Sequence, residues 1–130
     1  MNSQKERINN LIDMNDYFTR LFNDVELFNS ILSGKTLEIP SLILQKEDAL
    51  EFTKIIYDEI DSGIFKATIR IHPSQNSLVM DIGIAVNREL LSNLDKDGPK
   101  GLVQTGIKRI ITKFKRKGIE ILETERKYSD

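Results

Sequence analysis

Residues 65–86 have the sequence FKATIRIHPSQNSLVMDIGIAV, and this stretch decides the fold class. Apolar residues alternate with more polar ones on both sides of 73–76, which is typical of a β-hairpin with one buried face. A four-residue loop at 73–76 puts every apolar pair on that face. The predicted partners are Ile71 with Leu78, Ile69 with Met80, Ala67 with Ile82 and Phe65 with Ile84.

The second face of this hairpin carries Thr68, Arg70 and Asp81. Two interpretations are open for these side chains. They form an ordinary cross-strand pair, with Arg70 diagonal to Asp81, or they contact a ligand.

Helical and extended patterns flank the hairpin. Residues 36–44 predict a strand that Pro40 confines to a sheet edge, and residues 47–61 predict a helix that Gly63 ends. Asn87 caps a short helix to residue 94, and residues 95–99 form a loop. A helix at 102–117 ends at Gly118, and 119–124 predicts a last strand. We therefore expect one α+β domain over residues 1–130, with a small mixed or antiparallel sheet backed by helices.

The N-terminal helical segment, residues 1–34, carries an apolar seam at heptad spacing. The seam consists of Leu11, Met14, Phe18, Leu21, Val25, Phe28 and Leu32. An unbroken helix of this length would measure about 45 Å, against a radius of gyration of about 14 Å for a domain of this size. The helix therefore projects and self-associates, or it breaks, best at residues 23–24, and packs on the domain.

Composition places the chain among globular proteins. It is 39% hydrophobic and 30% charged, and it has no cysteine, which excludes disulfides and thiolate chemistry. The 18 Ile against 3 Ala suggest a low-GC bacterium or one of its mobile elements. No signal peptide and no membrane span is predicted, and the expected location is the cytoplasm.

The charge is divided between the two halves of the chain. Residues 1–62 hold 6 Lys and Arg against 12 Asp and Glu, whereas residues 63–130 hold 13 against 8. The cations concentrate on the predicted helix at 102–117, opposite its apolar stripe. These are Lys108, Arg109, Lys113, Lys115, Arg116 and Lys117, and with Lys100, which precedes the helix, the stretch 100–117 holds seven cations. Such a face is solvated, or it contacts nucleic acid, an acidic protein surface or anionic lipid.

Three further motifs are weak. Residues 93–98 resemble the start of a calcium-binding loop, but such a loop requires other residue types at the positions of Lys100 and Gln104. SGKT at 33–36 lacks the first glycine of a phosphate-binding loop. His72, the single histidine, has no partners for zinc binding or catalysis. No cofactor, metal site or catalytic residue is therefore predicted.

Three functional hypotheses are considered, and the sequence favours the first two. The first is a small non-enzymatic interaction or regulatory protein that acts through protein–protein contacts and self-associates through the N-terminal seam. The alternative is a nucleic-acid-binding protein that uses the basic helix. A third possibility, an enzyme with an unfamiliar site near Thr68, Arg70 and Asp81, has no motif in its favour.

Overall fold

A computed structural model describes residues 3–91 and 98–128 of the chain. The elements follow the order α1 (Ser3–Leu21), α2 (Val25–Leu32), β1 (Leu37–Leu44), α3 (Lys46–Ile60), β2 (Phe65–Ser74), β3 (Ser77–Val86), α4 (Arg88–Leu91) and α5 (Gly98–Tyr128). The predicted α+β class with an N-terminal helical segment is confirmed, and the sheet is antiparallel.

The sheet has the order β1-β3-β2, with β3 in the centre. Its helix-facing side carries the alternating apolar residues of the hairpin, among them the buried Phe65, Met80, Ile82 and Ile84. On that side α1 packs on β1 and α3 packs on β2 and β3, while α5 contacts both α1 and α3. The core therefore lies between one face of the sheet and a layer of helices, and the other face is open.

The hairpin forms as predicted but in a different register. β2 and β3 are joined by a two-residue turn at Gln75 and Asn76, and Ile71 pairs with Met80 and Phe65 with Val86. Gln75 has φ +55°, and two-residue hairpin turns need a left-handed residue at their first position. The shift is two residues, so every side chain keeps its predicted face. Arg70 consequently lies directly opposite Asp81, not diagonal to it.

β1 is an edge strand, as the position of Pro40 predicts. Its pairing with β3 shifts between Ile39 and Leu42, so Pro40 falls in the irregular part of the strand. Gly34, before the strand, has φ +108° and follows α2 as the glycine that ends a helix with a left-handed residue.

The N-terminal helical segment breaks at the predicted place. The side chain of Asp24 accepts a hydrogen bond from the backbone N–H of Leu27, 3.1 Å away, and begins α2. The seam faces the inside of the same chain for most of its length. Leu11, Met14, Phe18 and Phe28 are buried, Leu21 and Leu32 pack partly buried against the core, and Val25 is 58% exposed.

The predicted end of the basic helix and the strand at 119–124 are wrong. α5 continues through Gly118 to Tyr128 and begins at Gly98, within the loop predicted for 95–99. Gly118 is buried against α1, where an added Cβ would lie 3.0 Å from the Met14 Cε atom. The glycine allows two helices to approach closely and does not end one of them, and Ile121 continues the buried stripe of α5.

Two other sequence motifs are located only in part. The short helix predicted from Asn87 appears as α4, and the rest of its predicted length lies outside the described residues. Residues 93–97 of the calcium-loop motif also lie outside the described residues. SGKT at 33–36 follows α2 and leads into β1, the reverse of the order that a phosphate-binding loop requires.

Candidate interaction site

The basic helix face divides into paired and unpaired cations. The Arg109 Nε atom lies 2.5 Å from an oxygen of Glu59, a buried carboxylate on α3. The Lys117 Nζ atom lies 3.8 Å from Asp48 on α3 and 3.4 Å from Glu120 on its own helix. Arg109 and Lys117 therefore join α5 to α3, and the acidic half of the chain already neutralises these two cations.

Lys108 is held by aromatic rings at the opposite flank of α5. Its ammonium nitrogen lies 4.9 Å from the ring centroid of Phe22 and 6.0 Å from that of Phe28. It also donates a long hydrogen bond of 3.5 Å to the side chain of Asn23. These contacts place a cation over the turn between α1 and α2.

The remaining cations, Lys100, Lys113, Lys115 and Arg116, form no ion pair with another described residue. Lys115 and Arg116 line a groove of about 580 Å³ between the end of α1 and the middle of α5. We call it the α1–α5 groove. Its other lining residues are Thr19, Phe22, Asn23, Thr112 and Ile119.

The α1–α5 groove combines apolar surface with positive charge. Phe22 is partly buried and Ile119 is 48% exposed, so the groove retains apolar area in contact with water. Below it, α1 and α5 are held together by the edge-to-face contact of Phe18 with Phe114, whose ring centroids are 5.8 Å apart. A rigid concave surface of this kind can receive an apolar side chain while its rim attracts an anion.

Sequence reasoning identified the cations of this groove but not its apolar residues. Ile119 lies in the segment wrongly predicted as a strand, and Phe22 is not one of the seven residues of the N-terminal seam. The signal for Ile119 was its spacing: it follows Thr112 by seven residues and Lys115 by four, which places the three on one face of a continuous helix.

A second groove, of about 610 Å³, lies on the open face of the sheet. It brings together Thr68, Arg70 and Asp81, as the hairpin pattern indicated, and adds Thr36, Glu38 and Ser41 from the β1 side. Ser41 donates a hydrogen bond to Asp81, whereas Arg70 forms no ion pair with a described residue. Gly83 allows the Thr36 side chain to lie close against β3, because an added Cβ would lie only 3.1 Å from its methyl carbon.

The described residues carry few other chemical features. His72 is exposed on β2, and within the described ranges no group of three or more His, Cys, Asp or Glu is placed to hold a metal ion. Burial raises the pKa of Tyr17, and Glu38 adds to the rise. Burial also raises the pKa of Asp48, which Lys117 partly offsets. In the same part of the chain, no helix combines the length and apolar character needed to cross a membrane.

Comparison with known proteins found no matching family model, no matching curated sequence and no matching solved structure. The α1–α5 groove is therefore interpreted from its own residues.

Proposed function

We propose that the protein is a non-enzymatic interaction protein that binds an acidic segment of a partner protein in the α1–α5 groove. The observation that carries this proposal is the combination of unpaired Lys115 and Arg116 with the exposed apolar surface of Phe22 and Ile119. The segment that fits has carboxylates for the rim and at least one large apolar side chain for the floor.

The arrangement of charge favours a short acidic segment over a long nucleic acid. From Lys108 to Lys117 the helix rises about 14 Å, which matches about four phosphates of one DNA strand. Within that length Arg109 and Lys117 are already paired with carboxylates, and the exposed Glu120 and Glu123 follow on the same helix. A duplex complex with six to ten phosphate contacts would need more free cations than this.

Nucleic-acid binding remains the second candidate, because Lys113, Lys115 and Arg116 are unpaired cations within about one turn of α5. A single strand offers both phosphates for these cations and bases for Phe22. The two candidate functions predict binding of different probes, so one series of titrations distinguishes them.

The test uses fluorescence anisotropy of three labelled probes. The first is a peptide of Glu, Leu and Phe that is amphipathic as a helix, the second is the same peptide with Lys in place of Glu, and the third is a single-stranded oligonucleotide. We expect the acidic peptide to bind and the lysine peptide not to bind, with affinity that falls as salt is raised from about 50 to 200 mM. Binding of the oligonucleotide alone would support the second candidate, and binding of none would contradict both.

A charge-matched control makes the result specific to the groove. The double variant Lys115→Glu, Arg116→Glu should weaken binding of the acidic peptide at least about tenfold, since two attractive contacts become repulsive. Lys35→Glu with Lys46→Glu changes the net charge equally at two exposed sites elsewhere and should leave the affinity unchanged. Equal loss in both variants would mean that only the overall charge matters, and the groove would not be the site.

A further inference from the structure

The two edges of the sheet differ in how far their backbone groups are already hydrogen-bonded. On β1, Asn10 accepts a hydrogen bond from the Ile43 N–H at 2.8 Å and donates one to the Ser41 carbonyl, and Tyr17 donates to the Glu38 carbonyl at 3.1 Å. Together with Pro40 and the register shift, these side chains of α1 occupy the backbone groups that another strand would need. The edge at β1 is therefore protected against strand addition.

The edge at β2 is open. β2 spans ten residues and pairs with β3, and the described part of the chain contains no other strand beside it and no equivalent of Asn10 or Tyr17 there. Its helix-facing residues, Phe65, Ala67, Ile69 and Ile71, carry no charge that would disfavour a second strand. Because Pro73 has no N–H, the row of backbone donors and acceptors on this edge runs from Phe65 to His72.

Exposed apolar side chains lie beside this edge. α3 covers β2, and its other flank meets α5 through Glu59 and Asp48. Leu50 and Tyr57, each 61% exposed, are seven residues apart and lie about half a turn of the helical wheel away from Glu59 and Asp48. They therefore face outward beyond β2, where Ile71 is 46% exposed as well. Apolar surface next to an open strand edge is typical of an association surface.

We infer that β2 is a homodimer interface, at which the β2 strands of two copies pair antiparallel and join two three-stranded sheets into one. The strand is complementary to itself in one register. With Ile69 opposite Ile69 of the other copy, nine residues face one another: Ala67 meets Ile71, Thr68 meets Arg70, Lys66 meets His72, and Phe65 meets Pro73, which has no N–H and ends the ladder. A second nine-residue register also keeps the apolar side chains of both strands on the helix-facing side. It puts Arg70 opposite Arg70, and like-charge repulsion disfavours this pairing. A second copy satisfies the backbone of β2 and covers Ile71, Leu50 and Tyr57 together.

This interface lies on the α3 side of the helical layer, whereas the proposed partner groove lies between α1 and α5. The dimer therefore goes beyond the proposed function, and either proposal can fail without the other. It also uses a different surface from the N-terminal seam, most of which is buried inside the chain.

The mass of the protein in solution tests the interface. Sedimentation from about 5 to 200 µM should show a dimer whose dissociation constant rises at least about tenfold in Ile71→Lys, because a charge then lies at the paired edge. Val25→Lys makes the same change at an exposed site on α2 and should have no effect. A wild-type monomer at 200 µM, or a dimer that Val25→Lys disrupts and Ile71→Lys does not, would overturn the inference.

Disulfide trapping tests the register, because the chain has no cysteine of its own. Ile69→Cys should form a covalent dimer under mild oxidation, since paired residues of adjacent strands lie within disulfide distance. Arg70→Cys should form it much more slowly, because residue 70 then lies opposite residue 68. Faster trapping through Arg70→Cys would overturn the register, and trapping at the exposed control Lys35→Cys as fast as at Ile69→Cys would overturn the interface.

Discussion

At the scale of single residues, close approach explains two glycines in the interior of α5. Gly106, inside α5, is buried against β2, and an added Cβ would overlap the ring of Phe65. Gly118 serves the same purpose against α1. Neither has the positive φ that a helix-ending glycine adopts, unlike Gly34 and Gly63. A glycine inside a helix therefore marks a packing contact when a ring or another helix lies against it.

Gly106→Ala should destabilise the protein by about 1–3 kcal/mol, because the buried Phe65 ring must shift to admit the added methyl group. Gly101→Ala should instead stabilise it by up to about 1 kcal/mol, since nothing lies within 4 Å of the added Cβ and alanine favours the helix. Urea unfolding of the two variants measures both effects. Equal stabilisation by both substitutions would show that α5 does not contact Phe65 at Gly106.

The candidate site also shows what local sequence patterns can and cannot predict about single residues. Six of the seven cations could be located on one helix from the sequence, since 100° spacing alone determines which residues share a face. Their partners could not, because Glu59 and Asp48 belong to a helix that precedes α5 by about fifty residues. The division into paired and unpaired cations is therefore a property of the tertiary structure.

At the scale of elements, the local signals at the two ends of α2 were reliable, whereas Gly118 did not end α5. Asp24 separates α1 from α2 through a single side-chain hydrogen bond to Leu27, and Gly34 ends α2 with a left-handed turn. The hairpin also formed where the alternation predicted it. Its turn differed because Pro73 and Ser74 belong to β2, an edge strand, where a proline removes no essential ladder hydrogen bond.

Asp24→Ala should lower the free energy of unfolding by about 1 kcal/mol, because an N–H group at the start of α2 loses its acceptor. Asp16→Ala removes an exposed carboxylate from the interior of α1 and should change stability by less than about 0.5 kcal/mol. Thermal unfolding at one protein concentration compares the two variants. If Asp16→Ala cost as much as Asp24→Ala, capping would not explain the break between the helices.

At the scale of the whole molecule, the N-terminal seam provides much of the core. Phe18 contacts Phe114, and Phe114 contacts Phe52 with ring centroids 4.8 Å apart, so one aromatic cluster joins α1, α5 and α3. The seam therefore stabilises the fold itself along most of its length. Among the surfaces that the described residues leave open to partners are the α1–α5 groove, the open face of the sheet and the edge at β2.

Phe18→Ala should lower the free energy of unfolding by about 3–5 kcal/mol, because it removes a buried ring. This loss is a large part of the roughly 5–15 kcal/mol by which a typical domain is stable against unfolding. Val25→Ala, at the exposed seam position, should cost less than about 0.5 kcal/mol. Urea unfolding measures both values. Nearly equal, small losses would instead indicate that the whole seam faces solvent or another copy.

By itself the sequence determined the class of the fold, the faces of the hairpin, the break at Asp24 and the edge position of β1. Each depends on signals within a few residues, such as alternation, a cap or a proline. Only the tertiary structure decided that α5 continues past Gly118, which cations stay unpaired and what covers the seam. These depend on residues far apart in the chain: Arg7 and Glu125, 118 positions apart, form an ion pair of 2.6 Å between α1 and α5. No local pattern contains such a contact, because packing between elements, and not propensity, selects it.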